Sequence, residues 1–216
     1  MVLSDSQIER YSRQIILSEI GGQGQERLLG ARLRLVAEPD LIEQPLAYLV
    51  GAGVGSIAIA TELLPREQQI SLRAQMHGLN SDVKIETDQS AGAEFKLDLC
   101  LVSGPESLKA AWQPSQTKTI VAARLDREPI VAIIRSRPPC LKCVDEGFLA
   151  PIQDPGEGAR IAAMIAVTEA IKILASDSDA EKVSKLIRIR NYSTSVEVVG
   201  GERSCAACQP NQGQPA

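Results

Sequence analysis

Histidine is almost missing from this sequence: His77 is the single one in 216 residues. Chemistry that needs a histidine base, or a metal held by several imidazoles, is therefore a poor fit. Beside Gly78, His77 reads as a solvated loop residue. Aromatic residues make up only 3%, too few for a base-stacking surface. Lys and Arg (23) fall short of Asp and Glu (27) and form no run or stripe, so nothing points to a nucleic-acid partner. No apolar run approaches the roughly 18 residues of a membrane span. The opening "MVLSDSQIERYSRQ" lacks the basic start and apolar centre of a secretory leader. The default expectation is a cytoplasmic protein with no membrane partner. The last shortage is local. In "LRLVAEPDLIEQPLAYLVGAGVGSIAIA", residues 33–60, the turn after the first apolar strand holds Ala37, Glu38, Pro39 and Asp40. Glycines that would let a backbone wrap a phosphate appear only beyond the following helix, as Gly51, Gly53 and Gly55.

A hydrophobic content of 44% with 23% charge suits a soluble globular chain. At this length folding buries roughly 70% of the unfolded surface, so no crosslinks are needed to hold a core. Ser4 and Ser6 precede Gln7 and Glu9 by three residues, a capping-box pattern that starts an amphipathic helix over 5–17. The "GGQG" at 21–24 breaks it, and a further turn or two of helix follows. Strands are expected at 32–37, 56–60, 82–87, 97–102 and 119–123, the last two apolar enough to be buried on both faces. Asp40 and Glu43 suit the start of the helix after the first strand, Pro45 lies early enough to be tolerated, and "GAGVG" supplies a left-handed cap. Alternating strands and helices predict an α/β fold, a Rossmann-like, mostly parallel sheet flanked by helices. The second half reads differently. It holds a strand at 129–136, a long helix apolar nearly all round within 156–176, and a hairpin of "KLIRIRN" and "TSVEVVG" through "NYS". One domain over 1–208 is expected: helices at 1–30, the core at 31–125, an antiparallel part at 126–208, and a disordered polar tail at 209–216.

Four of the five cysteines come as two CxxC pairs, "CLKC" at Cys140 and Cys143 and "CAAC" at Cys205 and Cys208. Two such knuckles on turns make the usual frame of a tetrahedral zinc site. With four thiolates no position stays open for substrate, so the zinc is structural and clips two distant segments together. Paired disulfides and a redox CxxC are the alternatives; the first suits a cytoplasmic protein poorly and the second needs only one pair. Cys100, in an apolar strand, reads as core.

"RYSRQIIL", "GGQGQERLLGARLRLV", "YLVGAGVGSIAI", "CLKC", "TEAIKIL" and "CAAC", in that order, resemble the ThiF/MoeB/HesA family, relatives of the ubiquitin-activating enzymes. The resemblance runs from about residue 3 to 208. It implies a dimerising Rossmann-like domain with a four-cysteine zinc site. Such proteins use ATP and magnesium to adenylate the C-terminal glycine of a small ubiquitin-like or sulfur-carrier protein. Cys140, Cys143, Cys205 and Cys208 match the zinc ligands. Arg13 matches an arginine that reaches the partner subunit's ATP, a surface ion pair being the plainer alternative.

The nucleotide motifs do not match. The family's glycine-rich turn falls on residues 37–42, where glutamate and aspartate side chains replace the glycines. The acidic pair expected after the second strand is reduced to Glu62, displaced by one residue. The triphosphate-gripping segment is shortened to "PREQQ", with Arg66 as a remnant. The magnesium-binding motif falls on "VSGPE", where Pro105 replaces the aspartate beside Glu106. The expected cofactors are thus structural zinc, with ATP and magnesium lost. The expected role is a non-catalytic scaffold, a homodimer or a heterodimer with an active relative, holding a small ubiquitin-like or sulfur-carrier protein. The alternative is an active adenylyltransferase with a rebuilt site using Glu62 or Glu106 for magnesium and Arg13 or Arg66 for phosphate. A zinc hydrolase or a redox protein would need an open coordination position or cycling thiols, and a four-cysteine zinc site provides neither.

Overall fold

The computed structural model describes residues 2–60, 64–87, 95, 97–102, 119–125, 128–135, 158–176, 183–190 and 193–199. Helix α1 spans Asp5–Ile15 and opens with the anticipated capping box. The Gln7 amide donates to Ser4 Oγ at 3.3 Å, and the Ser4 amide donates to Gln7 Oε1 at 3.1 Å. Helix α2 is Gly21–Leu29. The expected break at "GGQG" shrinks to one residue, Gly21 at φ 63°, and Gly22 and Gly24 lie inside the helix. Glycine's low helix propensity misled there because α2 is held by tertiary contacts. Gln25 Nε2 donates to the Ala52 carbonyl at 3.0 Å, and Arg27 Nη1 donates to the Ala175 carbonyl at 3.0 Å. Two carbonyls left over at the ends of other helices are thereby satisfied.

Strands β1 (Arg32–Val36), β2 (Ser56–Ile59), β3 (Lys84–Thr87), β4 (Leu97–Val102) and β5 (Ile120–Arg124) pair in parallel. Strands β6 (Ile130–Ile134), β7 (Ser184–Arg190) and β8 (Ser193–Val199) continue the sheet in antiparallel fashion. The order is β3-β2-β1-β4-β5-β6-β7-β8, so the expected parallel half and antiparallel half form one sheet. Helices α3 (Pro39–Ala52), α4 (Arg66–Leu79) and α5 (Gly158–Ala175) complete the described elements. They pack on the face that carries Leu33, Leu35, Ile57, Leu97, Leu99 and Val121. The opposite face holds a smaller cluster that includes Val36, Cys100, Ala122 and Ile134, so Cys100 is a core residue, as expected. The long helix α5 turns an alanine-rich stripe inward (Ala159, Ala162, Ala163, Ala166 and Ala170), which lets it lie close to the sheet.

The hairpin β7–β8 forms, but the alternation of "TSVEVV" does not produce an inward face. β8 is the terminal strand, and Val196 and Val198 stay 63% and 67% exposed. Cys140, Cys143, Cys205, Cys208, Glu62, Pro105, Glu106 and residues 209–216 lie outside the described residues. Among the described residues no helix is long and apolar enough to cross a membrane, and no group of three or more His, Cys, Asp or Glu is placed to hold a metal ion.

The glycines of "GAGVG" serve the scaffold. Gly53 is the C-cap of α3 at φ 81°, the left-handed region. Gly55 lies against α2, where its amide donates to the Leu28 carbonyl at 2.9 Å. A Cβ at residue 55 would sit 1.9 Å from the Leu29 carbonyl oxygen, whereas one at residue 51 would meet nothing within 4 Å. Gly55→Ala is therefore expected to cost about 3 kcal/mol or more in urea unfolding. Gly51→Ala, in the last turn of α3, should be neutral or stabilise by roughly 0.5 kcal/mol.

Candidate functional site

In an open parallel sheet the ligand crevice lies beyond the carboxyl ends of the strands, where the strand order reverses. Here β1 sits between β2 and β4, so the crevice opens above Val36 and Ala37. Its described floor is the turn from β1 into α3. The strand ends at Val36 and the helix begins at Pro39, leaving only Ala37 and Glu38 between them. Ala37 is buried, Glu38 is the N-cap without using its side chain as a cap, and Asp40 is exposed in the first turn.

A helix start binds phosphate through free amides and the positive end of its dipole. Pro39 has no amide hydrogen to give. The Leu41 amide is turned back onto the Glu38 carbonyl at 3.0 Å. Two carboxylates then occupy the electrostatic position an anion would take. Asp40 is exposed and Glu38 half-buried, so the surroundings are surface-like rather than of low dielectric. At an effective dielectric of about 20, each unit-charge contact at 4 Å would still oppose a phosphate by about 4 kcal/mol before salt screening.

Arg66 stands at the rim. It is the first residue of α4, exposed, and makes no hydrogen bond or ion pair with another described residue. Gln68 Nε2 donates to the Pro39 carbonyl at 3.2 Å, which holds the first turn of α4 beside the start of α3. Arg66 thus begins a helix whose first turn lies beside the start of α3. A cation at the positive end of a helix is unfavourable for stability.

Arg13 lies elsewhere. Its neighbour Gln14 donates to the Gly51 carbonyl at 3.4 Å, which places this part of α1 against the C-terminal end of α3. The crevice is at the other end of this 14-residue helix, roughly 20 Å away at 1.5 Å per residue. Arg13 is exposed, and among the described residues no carboxylate pairs with it.

The motif residue that sequence reasoning passed over is Tyr11. It is 1% exposed. Its hydroxyl donates to Asp82 Oδ2 at 3.2 Å and accepts from Asn80 Nδ2 at 2.8 Å. Asn80 Nδ2 also donates to the Val50 carbonyl at 2.8 Å, and the Asp82 amide donates to Asn80 Oδ1 at 3.1 Å. Its ring also lies over Gly53, where an added Cβ would come within 2.8 Å. The available signal was a tyrosine at an inward position of an otherwise polar helix. Arg10 adds a bond from Nη1 to the Leu79 carbonyl at 3.3 Å and an Nε–Oδ2 contact of 3.9 Å with Asp82. "RYSRQ" therefore splits into an anchor, Arg10 and Tyr11, and an outward-facing Arg13.

Comparison with known proteins puts these pieces in a family. The chain is 26% identical over 249 aligned positions to the adenylyltransferase and sulfurtransferase MOCS3 of Culex quinquefasciatus, an alignment covering 97% of this chain and 57% of that protein. It is 32% identical over 143 positions to the molybdopterin-synthase adenylyltransferase of Salmonella typhimurium, covering 66% of this chain and 51% of that protein. These relatives indicate the ThiF/MoeB family. No family model matches the chain. It spans as little as 23% of one curated relative, the Anopheles gambiae MOCS3. Among solved structures, E. coli MccB with ATP matches with a TM-score of 0.66 at 13% identity, over 96% of this chain and 76% of that one. PaaA matches with a TM-score of 0.58 at 12% identity, over 92% of this chain and 75% of that one. At such identities the likeness is one of fold, the mixed sheet described above.

Burial pushes the Tyr11 phenol above its ordinary range, and the Asp82 charge adds to this against the hydrogen bond donated by Asn80. The folded phenol thus ionises above the unfolded tyrosine's pKa of about 10. Its contribution to stability is whole below that pH and is lost as pH rises through the folded value. Tyr11→Phe should cost about 1–2 kcal/mol near neutrality in urea unfolding. It should also lose less stability than wild type between about pH 9.5 and 11.

Proposed function

We propose that this chain is a non-catalytic ThiF/MoeB-type subunit, one that keeps the fold of an ATP-dependent adenylyltransferase without its phosphate cradle. It serves as a scaffold or dimer partner in the activation of a sulfur-carrier or ubiquitin-like protein. The observation that carries this reading is the β1–α3 turn, with no glycine, a proline as the first helical residue, and Glu38 and Asp40 at the helix start. The named relatives are adenylyltransferases, so the carrier is taken from their kind of reaction. Edge strand β8, with its outward Val196 and Val198, offers a carrier a strand to pair with. Exposed Arg13, far from its own crevice, suits action on the nucleotide of another subunit.

Cys140, Cys143, Cys205 and Cys208 would hold a structural zinc, since four thiolates in two knuckles satisfy a tetrahedral ion. The second reading, an active enzyme with a rebuilt site, is favoured by Arg66, a cation at the start of α4 with no pairing partner among the described residues.

Calorimetry of ATP with magnesium on zinc-loaded protein decides between the two. The expected result is no saturable heat up to millimolar ATP. One-to-one binding, with pyrophosphate released on adding a carrier ending in Gly-Gly, would establish the second reading. In a complex with an active relative, Arg13→Ala should reduce that relative's adenylation rate, and an unchanged rate would remove the trans role. Purified protein should contain one zinc per chain. Cys205→Ser should lose it and unfold at markedly lower urea, because the metal's binding energy is folding energy.

A further inference from the structure

At the far end of the sheet from the crevice, α4 and the start of β3 line an open groove of about 340 Å³. The strands begin here, with Lys84 in register with Ser56 and Ser56 with Arg32. Arg73 and His77 are one helical turn apart on α4 and share a face. Lys84 and Ser81 complete the polar lining with Asp82. This groove has no part in the phosphate-gripping segment, which starts α4 at its other end.

The charges in it are unevenly committed. Asp82, its carboxylate, already accepts from Tyr11 and faces Arg10. Lys84 Nζ pairs with Glu86, which also accepts from Arg32 Nη2 at 3.1 Å and Ser56 Oγ at 3.2 Å. The Lys84 hydrogen bond, more than that of Ser56, holds the Glu86 carboxyl below the usual range. Glu86 is therefore satisfied without drawing on Arg73. Arg73 is half-buried and has no hydrogen-bond or ion-pair partner among the described residues. A partly desolvated guanidinium without a partner is costly, and a bound anion removes the cost.

We infer that this groove binds a phosphate dianion, either free or as the monoester of a compact metabolite. Arg73 offers a planar fork of donors that matches two phosphate oxygens. Ser81 and His77 line the same groove, and the Lys84 ammonium, paired with Glu86, adds positive charge from β3. The volume sits at the small end of ligand sites, which suits a phosphate with a few attached atoms better than a nucleoside triphosphate.

His77, the chain's single histidine, makes the test direct because its Hε1 proton gives one imidazole resonance. The full chain is titrated with inorganic phosphate and separately with glycerol 3-phosphate, at constant pH and ionic strength. A saturable shift is expected for at least one of them, with tighter binding of the ester marking a metabolite and equal binding marking free phosphate. Arg73→Gln should weaken it at least roughly tenfold, while Arg160→Gln, an exposed arginine on α5 outside the groove, should leave it unchanged. A shift that grows linearly without saturating, or an Arg73→Gln protein that saturates as wild type does, overturns the assignment.

Discussion

The N-terminal half of the sheet depends on one close approach of backbone to backbone. The Gly55 amide reaches the Leu28 carbonyl, and the next amide, Ser56, reaches the Ala31 carbonyl at 3.0 Å. These two bonds set β2 beside β1 in register, and the Lys84 amide then bonds the Gly55 carbonyl at 2.9 Å to bring in β3. No side chain fits at residue 55, so α2 can lie directly over the entry to β2. Because β2 and β3 fall on one side of β1 and β4 on the other, the position of the crevice follows from this contact. The glycines of "GAGVG" build the frame, at the end of α3 farthest from where a phosphate would be held.

The same helix therefore has two ends with opposite chemistry. At its C-terminus, Gln25, Asn80 and Gln14 donate to the carbonyls of Ala52, Val50 and Gly51. That end is fully engaged by α1, α2 and the segment after α4. At its N-terminus the dipole is met by the protein's own Glu38 and Asp40, which stabilise the helix start in the way an anion would. Charge that favours α3 itself disfavours a bound triphosphate. A substitution that restored glycine to the turn would regain backbone room, but the two carboxylates would remain. Stability of the helix and affinity for phosphate compete for one electrostatic position.

Much of this was legible in the sequence because it depends on local rules. "LDLCLV" and "TIVAA" announced central strands through apolar residues on both faces, and Ser4 with Gln7 announced a helix start. The altered turn at Ala37 to Asp40 could be read directly, since proline and carboxylates act on the backbone wherever they stand. Other features were hidden by their dependence on distant partners. Gly22 and Gly24 look like breakers until Gln25 and Arg27 find carbonyls on α3 and α5. "TSVEVV" alternates like a half-buried strand, but alternation does not tell which strand ends the sheet. Tyr11 gives no local sign that Asn80, 69 residues away, will hold its hydroxyl. The two CxxC pairs and the motifs around Glu62 and Glu106 fall outside the described residues, so for them the sequence still speaks alone.

Tyr11 links these observations to Arg13. A polar helix such as α1 has little apolar surface of its own to hold it on the domain. Buried Tyr11 fixes one face of the helix against Asn80, Asp82 and Gly53. Two positions further along a helix turn by about 200°, so anchoring residue 11 inward necessarily turns residue 13 outward. The side chain that points away from its own domain is thus oriented by the one that is locked into it. An arginine held outward in this way, with no partner on its own described surface, lies roughly the length of α3 from the crevice of its own chain. Side-chain rearrangement alone cannot span that distance, because an extended arginine reaches only about 7 Å from its Cα, against roughly 20 Å for the helix. If Arg13 meets a nucleotide at all, this distance requires that another subunit hold it.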